Sequence, residues 1–382
     1  MMASKYRLFS ADSHLEISPE RWTRRVPEKF RDRAPRLVKL ANGGDGIIIE
    51  GRPLYVVGLA IAGKPYERHE LRGVSYEGSE GAGAPEQRIK EQDQDGVDGE
   101  ILYTSASNLS FWRGINNDDA YLATVHAYNT FLAEEYCAVN RDRLIALGAI
   151  PTHSVDAAIK ELEYCAKAGL KGMMLNTFPS GKSYPSLADD RFYAAALDLN
   201  MPLSVHVAMG LPDGPLFKYD KDPGEVAFGG EPIRVLTRFG GNSGLNAVQL
   251  LLSGVFERLP KLRIYWAETQ MGWLPYYYDQ LDDVYKRSKH WMQRYFDLKP
   301  LKRQPSEYFR EHLYWGFIYD RVGLRLRYDV GVDKIMWGND FPHSAGDWPN
   351  SKRVIADIFS GVPEDEKQKM LVDNAVSFFH LN

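Results

Sequence analysis

Eight short apolar runs, at residues 6–11, 100–104, 144–150, 172–175, 203–207, 263–267, 313–317 and 334–338, recur along nearly the whole chain. Runs of four to seven residues read as strands covered on both faces. The amphipathic segments between them, at 86–95, 118–139, 155–168, 189–199, 233–257, 274–289, 320–328 and 351–359, read as helices, and each follows one strand. A parallel pair of strands needs a long crossover, usually a helix, so this alternation predicts an α/β fold around a parallel sheet. Eight units fit a closed (β/α)8 TIM barrel better than an open Rossmann sheet, and they make residues 1–382 a single barrel domain.

Local chemistry supports several boundaries. Ser154 is a helix N-cap candidate before an apolar-periodic run, and Gly169 is the residue expected to end that helix in the left-handed conformation. Asp118 and Asp119 open the long second helix, where negative charge complements the positive end of the dipole. Three connections exceed ordinary length. The first, 17–85, reads as an insertion after strand one, with a possible β-hairpin of 47–50 and 53–57 about Gly51 and Arg52. The second, 208–232, reads as an ordered loop or lid, and the third, 290–310, is rich in charge and aromatics. The tail, 360–382, reads as helical, with Asn374 opening its last short helix.

Charge narrows the partners. Lys plus Arg number 47 against 51 Asp plus Glu, a net charge of −4, so no basic field is available for nucleic acid or an anionic membrane surface. No window reaches the ~18 apolar residues of a membrane-spanning helix, and no apolar stretch follows the N-terminal charges. The two cysteines, Cys137 and Cys165, lie in helical patterns without a partner motif and read as buried small hydrophobes of a reducing, cytoplasmic compartment.

In a barrel of this kind the chemistry sits where the strands end. Strand one runs into Asp12 and His14, two apart and therefore on one face; strand five carries His206; strand six ends at Glu268; strand eight ends at Asp340, with His343 just beyond. Buried unpaired charge costs several kcal/mol, and a shared cation accounts for such convergence most economically. Asp, Glu and His suit a divalent zinc, manganese or iron ion, one or two in number. Bound there, such an ion lowers the pKa of a water or polarises a substrate oxygen. Trp112 and Arg113, after strand two, and Asn176, after strand four, are the substrate-binding candidates. Gly181-Lys182-Ser183 lacks the earlier glycine of a phosphate loop, Asn176 standing in its place.

The motifs Ala11-Asp12-Ser13-His14 with Pro19 and Trp22, Ala127-Tyr128-Asn129 with Leu132-Ala133-Glu134, Glu268-Thr269-Gln270-Met271-Gly272-Trp273-Leu274-Pro275, and Met336-Trp337-Gly338-Asn339-Asp340-Phe341-Pro342-His343 span the chain. With them it resembles the amidohydrolase superfamily, in the amidohydrolase-2 group that includes aminocarboxymuconate semialdehyde decarboxylase and aromatic acid decarboxylases. The resemblance implies one or two divalent metals at the barrel mouth and either hydrolysis or non-oxidative decarboxylation of a small, aromatic or carboxylate-bearing substrate. It implies that Asp12, His14 and His206 are ligands, and that Asp340 is a ligand or general base. The chain departs from the pattern with Asp-x-His in place of His-x-His, and with Glu268 where the decarboxylases carry a proton-transferring His. Catalytic candidates are thus Asp340, Glu268 and His343, with Glu268 a further ligand candidate. Three carboxylates beside three imidazoles also suit a dinuclear iron or iron-manganese oxygenase, the second expectation; a catalytically silent barrel subunit is the third. A homodimer or higher oligomer is expected, with helix 274–289 and Tyr276, Tyr277 and Tyr278 as its candidate interface.

Overall fold

Parallel strands follow one another in chain order around a ring: β1 (Phe9–Leu15), β2 (Gly99–Thr104), β3 (Leu144–Ala146, resuming as Gly148–Ala149), β4 (Met173–Leu175), β5 (Leu203–His206), β6 (Ile264–Ala267), β7 (Leu313–Phe317) and β8 (Ile335–Trp337). This is a computed structural model, and it describes residues 5–51, 55–56, 62–69, 73–210 and 241–381. The break in β3 is bridged by Leu147, whose N–H donates to Leu102 O at 3.0 Å, while Gly148 N–H donates to Gly172 O at 2.9 Å. The ring closes between β8 and β1. His14 N–H donates to Phe341 O at 2.7 Å, Asp340 N–H donates to Asp12 O at 2.9 Å, and Ser13 bridges Phe341 in parallel. The fold is the expected TIM barrel.

Every residue of these strands except Tyr314 is buried. Helices cover the outside and side chains fill the inside, so the strands carry continuous apolar runs instead of an alternation. Strand one departs from its expected bounds of 6–11. Its ladder extends through Asp12 and His14 to Leu15, and its register against β2 shifts between Ser10 and Ser13. An irregularity of this kind re-aims side chains at a barrel rim. The polar residues were left out of the run because polarity usually marks a strand's end; here they are buried within it.

The expected caps form. Ser154 Oγ accepts from Ala157 N–H at 3.2 Å at the start of Val155–Ala168, and Gly169 ends that helix at φ 90°. Asp118 and Asp119 occupy the first turn of Asp118–Phe131, with Asn117 as the capping side chain. That helix stops short of the expected 139, passing into a π turn at Leu132–Tyr136 and a 3-10 turn at Cys137–Val139. The helix expected at 274–289 runs on to Phe296, and Pro305–His312 is helical, so 290–310 is less open than its composition implied. A helix at Ala106–Arg113 went unread because it carries only a short apolar stretch. Within the insertion, the expected hairpin pairs Asp45–Ile48 with Tyr55–Val56, and Arg36–Lys39 joins as a third antiparallel strand. Most of the loop read at 208–232 lies outside the described residues, as does the first part of helix 233–257; Gly241–Leu252 and Val255–Arg258 are helical. The tail forms helices at Glu364–Gln368 and Asn374–Phe378, and Asn374 Nδ2 donates to Val332 O and Ile335 O at 2.8 and 2.7 Å, tying the tail to β8. Both cysteines are buried and free.

Candidate metal centre

Three strand ends deliver side chains into one buried space. Asp12 and His14 come from β1, His206 from the last position of β5, and Asp340 from the turn after β8. One ligand atom from each lies within 4.8 Å of the other three, and all four residues are buried. His14 Nε2 stands 3.0 Å from Asp340 Oδ1 and 3.6 Å from Asp12 Oδ1, while His206 Nε2 stands 3.4 Å from Asp12 Oδ1. The backbone is unusual at these exits. Val207, Glu268 and Asp340 hold φ of 56°, 54° and 51°, the left-handed region that non-glycine residues avoid and that recurs at functional sites. Gly338 lets the end of β8 approach β1, because a Cβ there would stand 2.4 Å from Asp12 Cβ.

Glu268 borders the cluster. Its Oε2 lies 3.1 Å from His206 Nε2, and its side chain is fully buried, although it is not one of the four residues whose ligand atoms converge. His343 stacks on His14 with ring centroids 3.8 Å apart; its Nδ1 is 3.3 Å from Asp340 Oδ1 and its Nε2 is 3.0 Å from Glu16 Oε1. Glu16 is therefore linked to Asp340 through one imidazole. Tyr103 forms the floor, 5.3 Å from the His206 ring and 6.1 Å from the His14 ring, with its hydroxyl 2.6 Å from Ser204 Oγ. Beside Asp340, Asn339 Oδ1 accepts from Ser13 Oγ at 2.8 Å and Ser10 Oγ at 3.0 Å, locking the turn onto β1.

The electrostatics match this geometry. Burial pushes the Asp12 carboxyl up to about 6 against the pull of His206, with Asp340 and Glu268 adding to the rise. Burial opposes charge on His206, yet Asp12 and Glu268 overcome it and hold the imidazole up at about 9. His343 behaves alike, raised to about 10 by Asp340 and Glu16 in spite of burial. Both carboxylate oxygens of Asp12 and of Asp340, and Nε2 of His206, are buried without a hydrogen-bond partner among the described residues. Their polar neighbours at 3.0–3.6 Å are other members of the same buried group. Such atoms are costly unless something else satisfies them, and two carboxylates with two imidazoles form a donor set that fits a divalent first-row cation.

The substrate candidates separate. Trp112 is buried, its ring 5.0 Å from Trp22 and 4.9 Å from Tyr128, and with them and Asn108 it lines a narrow cleft beside Leu15. Arg113 is exposed, 3.9 Å from Asp118 and above the Tyr121 ring at 5.1 Å. Asn176 follows β4; its carbonyl accepts from Gly210 N–H at 2.8 Å and its Oδ1 is buried without a hydrogen-bond partner among the described residues. The three do not form one cluster. Sequence reading missed Arg88, a fully buried arginine with bonds to the ligand-bearing backbone. A charged residue on the buried face of helix Pro85–Asp95 was the available signal.

Comparison with known proteins agrees with this architecture. The profile of the Amidohydro_2 family, described as amidohydrolase, matches residues 12–381. Gamma-resorcylate decarboxylase of Rhizobium sp. (strain MTP-10005) is 26% identical over 312 residues, covering 77% of this chain and 86% of that protein. Among solved structures, an amidohydrolase from Mycobacterium avium subsp. paratuberculosis K-10 superposes with a TM-score of 0.72 at 19% identity, covering 99% of this chain and 98% of the other. A 5-carboxyvanillate decarboxylase from Novosphingobium aromaticivorans, complexed with manganese and 4-hydroxy-3-methoxy-5-nitrobenzoic acid, superposes with a TM-score of 0.68 at 20% identity, covering 98% and 96% of the two chains. With a profile spanning nearly its whole length, this chain belongs to the amidohydrolase family.

Proposed function

We propose that this protein is a metal-dependent carboxy-lyase that removes carbon dioxide from a small aromatic carboxylate without an oxidant. The observation that carries the reading is the buried cluster of Asp12, His14, His206 and Asp340 at the barrel mouth. Supporting it is the decarboxylase activity named for relatives that match most of the chain, which favours decarboxylation over hydrolysis or oxygenation. One manganese ion is the cofactor we infer, by likeness to the manganese complex of the structural neighbour. Asp12, His14, His206 and Asp340 would hold it. A bound ion would supply positive charge to hold the substrate carboxylate and to offset the negative charge that develops as the bond to carbon dioxide breaks.

The chain's own groups supply the rest. As the carboxyl group leaves, its electron pair stays on the ring carbon, which must take up a proton. Asp340 is the group we assign to deliver it, since its Oδ1 faces both His14 and His343. His343, held between Asp340 and Glu16, returns a proton to that carboxylate and fixes its orientation. Glu268, with Oε2 3.1 Å from the same Nε2 of His206, places negative charge beside the ion's position. Tyr103, with its hydroxyl tied to Ser204, closes the floor against water. Asn176 Oδ1 is an acceptor for a substrate hydroxyl, Trp112 shapes the apolar wall, and Arg113, engaged by Asp118, contributes charge at the rim.

No helix among the described residues is long and apolar enough to cross a membrane. The two buried free thiols support a cytoplasmic location. Tyr276, Trp291, Tyr295 and Phe296 leave apolar surface exposed along helix Leu274–Phe296, which supports a homo-oligomer. The test of function is release of carbon dioxide from a panel of hydroxylated benzoates by manganese-loaded protein. Wild-type protein should convert at least one member and Asp340→Asn none. Manganese-loaded wild type that converts no member while hydrolysing an amide or ester refutes the reading.

A further inference from the structure

The seam that closes the barrel is also the seam that carries the metal ligands, and one buried arginine spans it. Arg88 lies on helix Pro85–Asp95, outside the ring, with a side chain that is 1% exposed. Its guanidinium uses its donors in three directions. Nε donates to Glu100 Oε2 at 2.7 Å, one terminal nitrogen to the carbonyl oxygen of His14 at 3.1 Å, and the other to that of Phe341 at 3.1 Å. The plane lies over the Phe341 ring, 4.4 Å from its centroid. Glu100, on β2, is held in turn by Gln92 Nε2 at 2.9 Å.

The two carbonyls are the informative partners. His14 is a ligand candidate, and Phe341 follows Asp340 directly, so the arginine bonds the backbone of one ligand residue and of the immediate neighbour of another. Phe341 O also accepts from His14 N–H at 2.7 Å, which makes a closed loop of backbone and guanidinium linking β1 to the turn after β8. That turn carries Asp340 in the left-handed region at φ 51°, a conformation that persists only when its surroundings hold it. Barrel closure elsewhere is made by ordinary strand ladders, as between β5 and β6. A buried arginine with its carboxylate is not needed for that: a well-packed apolar pair is often as stable. What an arginine offers here is a rigid planar fork that fixes several acceptors at once.

We propose that Arg88 is a positioning residue of the metal centre, setting the separation of His14 and Asp340 by clamping the backbone carbonyls on both sides of the closing seam. The inference rests on the metal-centre reading above. Groups that orient ligands without touching the metal typically change affinity about 10- to 100-fold when removed. Lysine in place of arginine keeps the charge opposite Glu100 but loses the fork.

The experiment is equilibrium titration of metal-depleted full-length protein with manganese, read by the electron paramagnetic resonance signal of the free ion, alongside thermal unfolding of each protein. Wild type should bind one ion per chain, and Arg88→Lys should bind about 10- to 100-fold more weakly. Arg327→Lys is the control: Arg327 lies on the helix that leads into the start of β8, the strand end opposite Asp340, and the change disturbs its 2.6 Å pair with Glu366 and should leave affinity unchanged. Arg88→Lys that folds and binds within twofold of wild type overturns the proposal, as does an equal loss in Arg327→Lys, which would mark a general effect of destabilisation. If Arg88→Lys does not fold, the double variant Arg88→Met with Glu100→Gln, which removes the fork and leaves no buried charge unpaired, reads the same coupling; unchanged affinity there overturns it too. Wild type that binds no manganese refutes the metal centre itself, a different outcome from an intact centre indifferent to Arg88.

Discussion

Replacing Asp12 with Asn should leave the metal-free protein almost as stable as wild type while abolishing its response to manganese. The Asp12 carboxyl, raised to about 6 by burial, sits some two units above its ordinary value. In ionised form it therefore costs about 3 kcal/mol. His206, raised to about 9 against burial by Asp12 and Glu268, gives back at pH 7 an amount of the same size, about 3 kcal/mol. The pair nearly breaks even, as buried ion pairs commonly do. Removing the carboxylate relieves its own burial cost and forfeits its share of the His206 stabilisation, while Glu268 stays opposite the imidazole so that no buried charge is left unpaired, and the net change is on the order of 1 kcal/mol. At 382 residues the unfolding entropy is about 0.8 kcal/mol per kelvin, and the melting temperature moves by about 1 °C. Manganese at 100 times its dissociation constant adds about 2.7 kcal/mol to wild type, or about 3 °C, and nothing to Asp12→Asn at the same concentration. Differential scanning calorimetry of both proteins at pH 7, with and without the ion, gives all four values. An equal rise in the variant, or a metal-free variant destabilised by 5 °C or more (about 4 kcal/mol), refutes the reasoning.

Three further outcomes follow from the structure. His206 and His343 carry raised values, so the metal-free protein gains stability from their protonation below about 6.5 and loses it as pH rises through about 9 and 10. A metal needs the neutral His206 imidazole, so apparent manganese affinity should rise about tenfold per unit from pH 7 to 9, measured by titration at fixed ionic strength; a flat profile excludes His206 as a ligand. Trp112→Ala should cost about 3–5 kcal/mol by denaturant unfolding, since it opens the Trp22–Trp112–Tyr128 cluster, with manganese affinity unchanged.

Much of this was legible in the chain because a barrel strand buried on both faces advertises itself as an apolar run: β7 and helix Val155–Ala168 fall where the pattern put them. The end of β1 was harder, for the physical reason that makes it a site. Asp12 and His14 belong to the ladder but break the apolar pattern, so the strand seemed to stop at residue 11. The ligand candidates were visible as polar residues at strand ends, and the structure brings Asp12, His14, His206 and Asp340 together. Arg88 was not, because its partner Phe341 is 253 residues away, and the tie of Glu16 to His343, 327 residues away, was hidden for the same reason: only the closed ring makes them neighbours. The helix Ala106–Arg113 is short and mixed in polarity, and the extension to Phe296 carries exposed aromatics; neither offers the periodic buried face that sequence reading depends on.

The proposed single divalent ion sits where two strand ends and the closing turn meet. An anomalous-difference map collected at the manganese edge from crystals of manganese-loaded protein tests it directly. A single peak enclosed by Asp12, His14, His206 and Asp340, with Glu268 beside them but outside the ion's ligands, is the expected result. Absence of a peak there, or a second peak bridged to the first by Glu268, contradicts it.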